Sequence, residues 1–182
     1  RKVSSLEEFL HIAKEDFHEA YRIFTERHFF LILSDQSEKI RSLYAGMSQQ
    51  PVTYQHLEEF LIAAGAKEKV TLSLNREEAG FYDVSESVQE SLYIHRSGWG
   101  HLRADIEVNG DFLEAGKHVV TEEDFIGSTC EINYVIRQEK LGKGNQYGEI
   151  IVKTPYQKLI YHVLASRGTE SAVNLDLLEK QY

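Results

Sequence analysis

The spacing of apolar residues changes near residue 67, from the period of a helix to the period of a strand. Before that point, apolar residues recur every three or four positions, which places them on one face of an amphipathic helix. The first such stripe follows Ser5-x-x-Glu8, which has the form of a capping box at a helix start. Its members are Leu6, Phe9, Leu10, Ala13, Phe17, Ala20 and Phe24. The pattern predicts a helix that begins after Ser5 and runs along this stripe.

Three further segments complete a predicted helical unit over residues 1–66. An apolar run at residues 29–33 stops at a Ser-Asp step, and a segment from Ser37 to Ala45 carries apolar residues on one side. A fourth segment opens at Pro51 and ends near Gly65, where a left-handed residue commonly closes a helix. The sequence therefore predicts a small N-terminal helical bundle.

From Lys69 onward, apolar and polar residues alternate, which is the pattern of half-buried strands. Turn signals separate these runs, and the Asn109-Gly110 step is a strong hairpin signal. No helical pattern interrupts the strands, which argues against parallel βαβ units. About seven short strands favour an antiparallel Ig-like β-sandwich over residues 67–167. The predicted class is α+β, and residues 168–182 are predicted to form a linker or the start of a following helix.

Motifs in the strand region resemble a known kind of module. They are, in order, Leu92-Tyr93-Ile94, Phe125-x-Gly127, Ile132-x-Tyr134, Gly148-Glu149-Ile150 and Thr154-Pro155. This order resembles the Ig-like modules of a family of large multidomain bacterial proteins, a domain of unknown function. The helical region from Phe9 to Leu61 resembles the insert that joins consecutive sandwiches in that family. The resemblance covers most of residues 4–165.

The resemblance implies that helical units and sandwiches alternate along a longer chain. It implies no catalytic residue, and it matches least well at residues 79–90 and 141–147. The chain begins without an initiator Met, and residues 176–182 have the pattern of a new helix. We therefore expect the chain to be a piece of a longer protein.

Charge narrows the classes of partner. The 182 residues include 29 acidic and 20 basic side chains, for a formal net charge of -9. Because affinity for nucleic acid comes mainly from Lys and Arg neutralising phosphates, nucleic-acid binding is not expected. No apolar run approaches the roughly 20 residues that span a bilayer, so membrane insertion is not expected. The expected partners are other proteins or neighbouring domains of the same chain.

Metal and thiol chemistry have few candidates. Cys130 is the single cysteine and is predicted to be a small core residue. With one cysteine the chain has no internal disulfide, which favours the cytoplasm. His11 and His18 share a helix face, but the short ligand spacings of zinc sites do not occur. Neither a metal nor another cofactor is expected.

The remaining motifs favour ordinary structural roles. Gly142-Lys143-Gly144 lacks the order and context of a phosphate-binding loop and is predicted to be a turn. The acidic groups at residues 77–78 and 122–124 lack the alternating ligands of a calcium loop, so they are predicted to be solvated. No nucleophile elbow or dinucleotide motif occurs. No catalytic residue is predicted, although distant residues can still assemble a hydrolase site.

Trp99, Tyr93 and His101 form the candidate ligand or partner surface. Trp99 lies between two glycines at the entry to a strand, where a core position is favoured. If Trp99 is exposed beside Tyr93 and His101, the three rings form a platform for stacking sugars.

Three functions follow from these patterns. The favoured one is a non-catalytic structural or interaction module of a larger bacterial protein. The first alternative is a carbohydrate-binding sandwich module that uses exposed aromatics. The second alternative is a hydrolase with a non-local active site.

Overall fold

The computed structural model describes residues 2–168. Within them the chain divides into two compact units, which we call the helical unit and the sheet unit. The helical unit comprises residues 2–70 and 97–101, and the sheet unit comprises residues 71–96 and 102–168. The predicted linker or helix at 168–182 lies, apart from Gly168, outside the described residues.

The helical unit contains four short α-helices and one 3₁₀ segment. Their bounds are α1 Leu6–Glu15, α2 Phe17–Phe24, the 3₁₀ segment Phe29–Leu33, α3 Glu38–Met47 and α4 Tyr54–Ala63. Within residues 2–168, no helix combines the length and the apolarity that crossing a bilayer requires.

The first predicted stripe forms two helices rather than one. Asp16 lies between the two helices in an extended conformation. Its backbone N–H donates the last hydrogen bond of α1 to the carbonyl of Ile12, and its side chain accepts a hydrogen bond from the backbone N–H of Glu19 in α2. An Asp that caps the next helix ends the previous one, because its side chain competes for backbone donors. The expected capping box is half present. The Ser5 hydroxyl accepts from the N–H of Glu8, whereas the Glu8 carboxylate accepts from Ser4.

Aromatic rings form the core of the helical unit. Phe9 lies with its ring centroid 4.7 Å from that of Phe29 and 6.4 Å from that of Phe60, and all three side chains are buried. Phe24 and Tyr44 join the same cluster. Such edge-to-face pairs add to the stabilisation that burial provides. Gly65 follows α4 with φ 78°, as its position at the predicted helix end requires.

Nine strands are found in the described part of the sheet unit. They are β1 Thr71–Leu74, β2 Glu78–Val84, β3 Val88–Ser97, β4 Arg103–Asn109, β5 Leu113–Ala115, β6 Val119–Thr121, β7 Thr129–Ile136, β8 Asn145–Lys153 and β9 Lys158–Arg167. A four-stranded sheet has the order β1-β3-β7-β5, and a five-stranded sheet has the order β2-β9-β8-β4-β6. The alternating pattern therefore found the long strands, and it missed β2 and the three-residue strands β5 and β6.

The two sheets form a sandwich-like pair. Tyr134 on β7 and Tyr161 on β9 are buried, and their hydroxyls lie 2.8 Å apart. Desolvation and this hydrogen bond raise the pKa of Tyr134. Side chains that alternate inward from both sheets meet in this way at the centre of a sandwich.

The expectation of antiparallel pairing was wrong at one edge. β2 runs parallel to β9, with Glu78 opposite His162 and Phe81 opposite Ala165. The five-stranded sheet is therefore mixed. Strand direction at an edge depends on how the connecting chain returns, which a period-two pattern does not encode.

Candidate functional site

The clearest docking feature is a groove on the helical unit, formed by the 3₁₀ segment and one side of α3. Its volume is about 560 Å³. The lining residues are Arg27, Phe30, Leu31, Leu33, Ser34, Arg41, Tyr44, Ala45 and Ser48. All of them lie between the end of α2 and Ser48, the residue that follows α3. We call this feature the α3 groove.

The apolar part of the α3 groove comes from the run Phe29-Phe30-Leu31-Ile32-Leu33. Five consecutive apolar residues in one tight helical segment cannot all face the core. Phe29 and Leu33 take buried positions, whereas Phe30 is 54% exposed and Leu31 is 59% exposed. Adjacent large apolar side chains that border a groove are typical of an interaction site.

One side of α3 completes the groove. Arg41, Ala45 and Ser48 recur at spacings of four and three and therefore lie along one face. Tyr44 lies in the groove lining but is only 8% exposed, and burial raises its pKa. Ala45 and Ser48, which have small side chains, line the groove together with this tyrosine.

Two arginines give the groove its charge. Arg27 and Arg41 are exposed, and within residues 2–168 neither forms an ion pair. The neighbouring carboxylate, Glu26, instead accepts a hydrogen bond from Arg22 at 2.9 Å. The lining contains two cations and no carboxylate, although the whole chain is acidic. The α3 groove is therefore an apolar surface with a positive edge.

Trp99 and His101 lie in the helical unit, whereas Tyr93 lies in the sheet unit. Trp99 is half-buried against the aromatic core, and the Lys67 ammonium lies 5.2 Å from its ring centroid. The His101 ring lies beside two aromatic rings, with its centroid 5.6 Å from that of Tyr54 and 6.3 Å from that of Phe17. The structure thus brings two of the three candidate residues into one unit, with ring surfaces already in contact with other side chains.

Tyr93 stands on the sheet surface. It is 40% exposed, and its hydroxyl donates a hydrogen bond to Glu131 across to the neighbouring strand at 3.0 Å. This bond raises the pKa of Tyr93. These contacts do not favour sugar stacking at the predicted platform.

A buried ion pair lies beside Trp99. The Lys67 ammonium bonds the Glu58 carboxylate, and both side chains are 1% exposed. The other Glu58 oxygen accepts the backbone N–H of His101 at 3.1 Å. Gly100, with φ 108°, passes so closely that a Cβ there would lie 2.6 Å from the Lys67 nitrogen. Sequence reasoning missed this pair, since Glu and Lys nine residues apart give no signal of burial.

The candidate metal ligands and the cysteine can be located in the described part of the chain. Within residues 2–168 no group of three His, Cys, Asp or Glu side chains is placed to hold a metal ion. Cys130 is buried, as predicted, and burial raises the pKa of its thiol.

The sequence offered a signal for the α3 groove that periodicity alone did not interpret. The run at residues 29–33 is too uniformly apolar for one stripe, so some of its members must be exposed. The sequence does not show which members face outward or that Arg27 and Arg41 lie beside them. Both outcomes follow from the packing of α2, α3 and the 3₁₀ segment.

Solved structures show distant likenesses. PapD-like domain 7 of human CEP192 is 10% identical with TM-score 0.40, and the match covers 53% of this chain and 84% of that one. A FixG-related protein from Vibrio parahaemolyticus is 11% identical with TM-score 0.39, over 55% of this chain and 97% of that one. A family 123 glycoside hydrolase from Clostridium perfringens is 6% identical with TM-score 0.39, and the match covers 55% of this chain and 27% of that one. Likenesses at this level establish neither fold nor function.

Sequence comparison is more decisive. No curated protein matches the chain. A family model does match, and it extends over residues 1–181. The resemblance to a family of unknown function is confirmed at that level. The chain belongs to the DUF5717 N-terminal family of unknown function.

Proposed function

We propose that the chain is a non-catalytic interaction module of a larger multidomain bacterial protein. In this proposal the helices act as a small bundle and the two sheets as an Ig-like sandwich. The single observation that carries the proposal is the α3 groove, where exposed Phe30 and Leu31 adjoin Arg27 and Arg41.

The occupant of the groove is a short peptide segment with bulky apolar side chains next to carboxylates. Phe30 and Leu31 supply apolar area, whose burial stabilises a complex by about 25 cal/mol per Å² before association costs. Arg27 and Arg41 complement carboxylates in charge. Their planar guanidinium groups can also donate two parallel hydrogen bonds to one carboxylate, which favours carboxylates over anions that offer a single acceptor atom. Charge complementarity also selects against basic partners, because like charges brought together cost free energy.

The test is selection of a phage-displayed library of random peptides on the full chain. We expect enrichment of peptides in which Leu, Phe or Trp stands beside Asp or Glu. The double variant Arg27→Glu/Arg41→Glu should abolish that enrichment. The matched control is Lys14→Glu/Lys39→Glu, which makes the same change in charge at exposed positions outside the groove and should preserve it.

Three results would overturn the proposal. One is no enrichment above an empty support, and another is enrichment of basic or proline-rich peptides. The third concerns self-association, measured by sedimentation velocity. If the chain dimerises and Phe30→Asp abolishes the dimer, the groove is covered by a second copy instead.

A further inference from the structure

A second cleft lies on the outer face of the five-stranded sheet, within the sheet unit. Its volume is about 710 Å³, inside the range of about 300–1,000 Å³ that is usual for small-molecule sites. Strands β2, β9, β8 and β4 lie side by side here and supply most of its lining. We call it the sheet cleft.

A row of polar side chains crosses the sheet cleft. Strand register places Glu78 opposite His162, His162 opposite Glu149, and Glu149 opposite Asn109. The four residues therefore share the outer face in one line perpendicular to the strands. Asn109 donates to Glu149 at 3.0 Å, and the His162 Nδ1 lies 4.0 Å from the other Glu149 oxygen.

Two exposed tyrosines accompany this row. Tyr147 is 75% exposed and Tyr82 is 64% exposed, which is unusual for side chains of this size on a sheet. The next register line reads Gly80, Leu164 and Tyr147. A Cβ on Gly80 would lie 2.9 Å from the Tyr82 hydroxyl, so the Tyr82 ring folds back over the bare glycine.

The two rings thus flank Leu164 along one line. The strands at its ends, β2 and β8, are separated by two strand spacings, or about 10 Å. The backbone holds Tyr82 in this place by an irregularity. Pairing of β2 with β9 shifts register between Phe81 and Val84, and Asp83 adopts φ 54°.

The chemistry of the cleft selects a neutral, hydroxyl-rich ligand. Arg76 lies with Glu78 and Glu149 among the lining residues, so the lining carries both signs of charge and no excess of cations that would favour an anion. Carboxylate and amide groups accept and donate hydrogen bonds in a row, as sugar hydroxyls require. Aromatic faces beside them offer apolar area at low entropic cost. We propose that the sheet cleft binds a neutral oligosaccharide, with Tyr82 and Tyr147 stacking on its rings and the Glu149–Asn109 pair bonding its hydroxyls.

This inference is independent of the proposed peptide groove. It rests on residues of the sheet unit alone, at a place other than the Trp99 platform predicted from the sequence. Substitutions in the α3 groove should leave it unchanged, so the failure of one proposal is distinguishable from the failure of the other.

The test is isothermal titration calorimetry of the full chain with cellohexaose, maltohexaose, xylohexaose and mannohexaose. We expect saturable binding of at least one of them. Tyr147→Ala and Tyr82→Ala should each weaken it about tenfold, as loss of one stacked aromatic ring does in other sites. The exposed Tyr93→Ala, on the other sheet, is the matched control and should bind like the original chain.

Gly80→Ala is a second probe that leaves every tyrosine in place. The new methyl group displaces the Tyr82 ring, whose far end is flexible, and binding should weaken while the unfolding midpoint stays the same. The proposal is overturned if none of the four sugars binds. It is also overturned if Tyr82→Ala and Tyr147→Ala bind as Tyr93→Ala does.

Discussion

The buried pair of Glu58 and Lys67 makes a sharp prediction about stability. Both side chains are 1% exposed, so neither charge is solvated when its partner is removed. Breaking such a pair by one substitution typically costs about 3–5 kcal/mol, because it leaves a buried charge uncompensated. We expect Lys67→Met to lower the free energy of unfolding of the helical unit by that amount.

The partner substitution should cost a similar amount. The amide of Glu58→Gln has a single oxygen, so if that oxygen accepts the N–H of His101, a bond of 3.1 Å in the structure, the NH2 group faces the Lys67 ammonium and two donors meet. The Trp99 ring, whose centroid lies 5.2 Å from that ammonium, still attracts the cation. The double variant Lys67→Met/Glu58→Gln removes both charges and should cost less than the two single changes together.

Urea unfolding followed by tryptophan fluorescence is the appropriate assay. Trp99 is the single tryptophan and belongs to the helical unit, so its emission reports on that unit. The matched control is the surface pair Arg137–Glu114, whose side chains are 42% and 46% exposed. Arg137→Met/Glu114→Gln, followed by circular dichroism, should change stability by less than about 1 kcal/mol.

Two outcomes would refute this reasoning. One is a cost for Lys67→Met below about 1 kcal/mol, the value of an exposed pair. The other is additivity of the two single changes within about 0.5 kcal/mol, since residues in direct contact are expected to couple. Either result would mean that water reaches the pair.

Three further predictions concern separate features. The hydrogen bond from Lys117 lowers the pKa of Asp124, so this carboxylate stabilises the sheet unit above the unfolded pKa, and the contribution is lost as pH falls through the folded pKa. The urea midpoint of the original chain should therefore fall with pH below about pH 4, and Asp124→Asn should make that fall less steep. An equally steep fall in the variant would contradict this prediction. Phe9 is fully buried, so Phe9→Ala should lower the free energy of unfolding by about 3–5 kcal/mol. Phe30→Ala should lower it by less than about 0.5 kcal/mol in the same fluorescence assay. Equal losses would show that the core is misassigned. Asp83→Val should destabilise the sheet unit by about 1–2 kcal/mol, because a β-branched residue is strained at φ 54°. Asp83→Gly should not destabilise it. If thermal unfolding shows the glycine variant to be the less stable of the two, the positive φ of Asp83 is refuted.

Local pattern predicted much of the secondary structure. The caps at Ser5 and the left-handed Gly65 follow from side-chain and backbone chemistry within a few residues. Alternation located the long strands, because a strand with one buried face must alternate. The same reasoning failed at Asp16, where one polar side chain ended a helix that the apolar stripe would have continued.

The candidate sites were much less accessible to sequence reasoning. The sequence favours a packed position for Trp99 at the entry to a strand, whereas its half-buried ring packs against the core of the helical unit. Tyr82 and Tyr147 became a pair only through the register that aligns Gly80, Leu164 and Tyr147 across three strands. Register is set by the packing of whole sheets, and a slip of one residue would turn each of these side chains to the other face.

The sequence by itself determined the two kinds of periodicity, the helix caps, the acidic charge and the burial of Cys130. Each depends on interactions over a few residues or on bulk composition. Tertiary structure alone decided that β2 runs parallel to β9, that Phe30 and Leu31 face outward, and that Lys67 is buried on Glu58. These outcomes depend on contacts between distant segments, where packing and desolvation outweigh local preference.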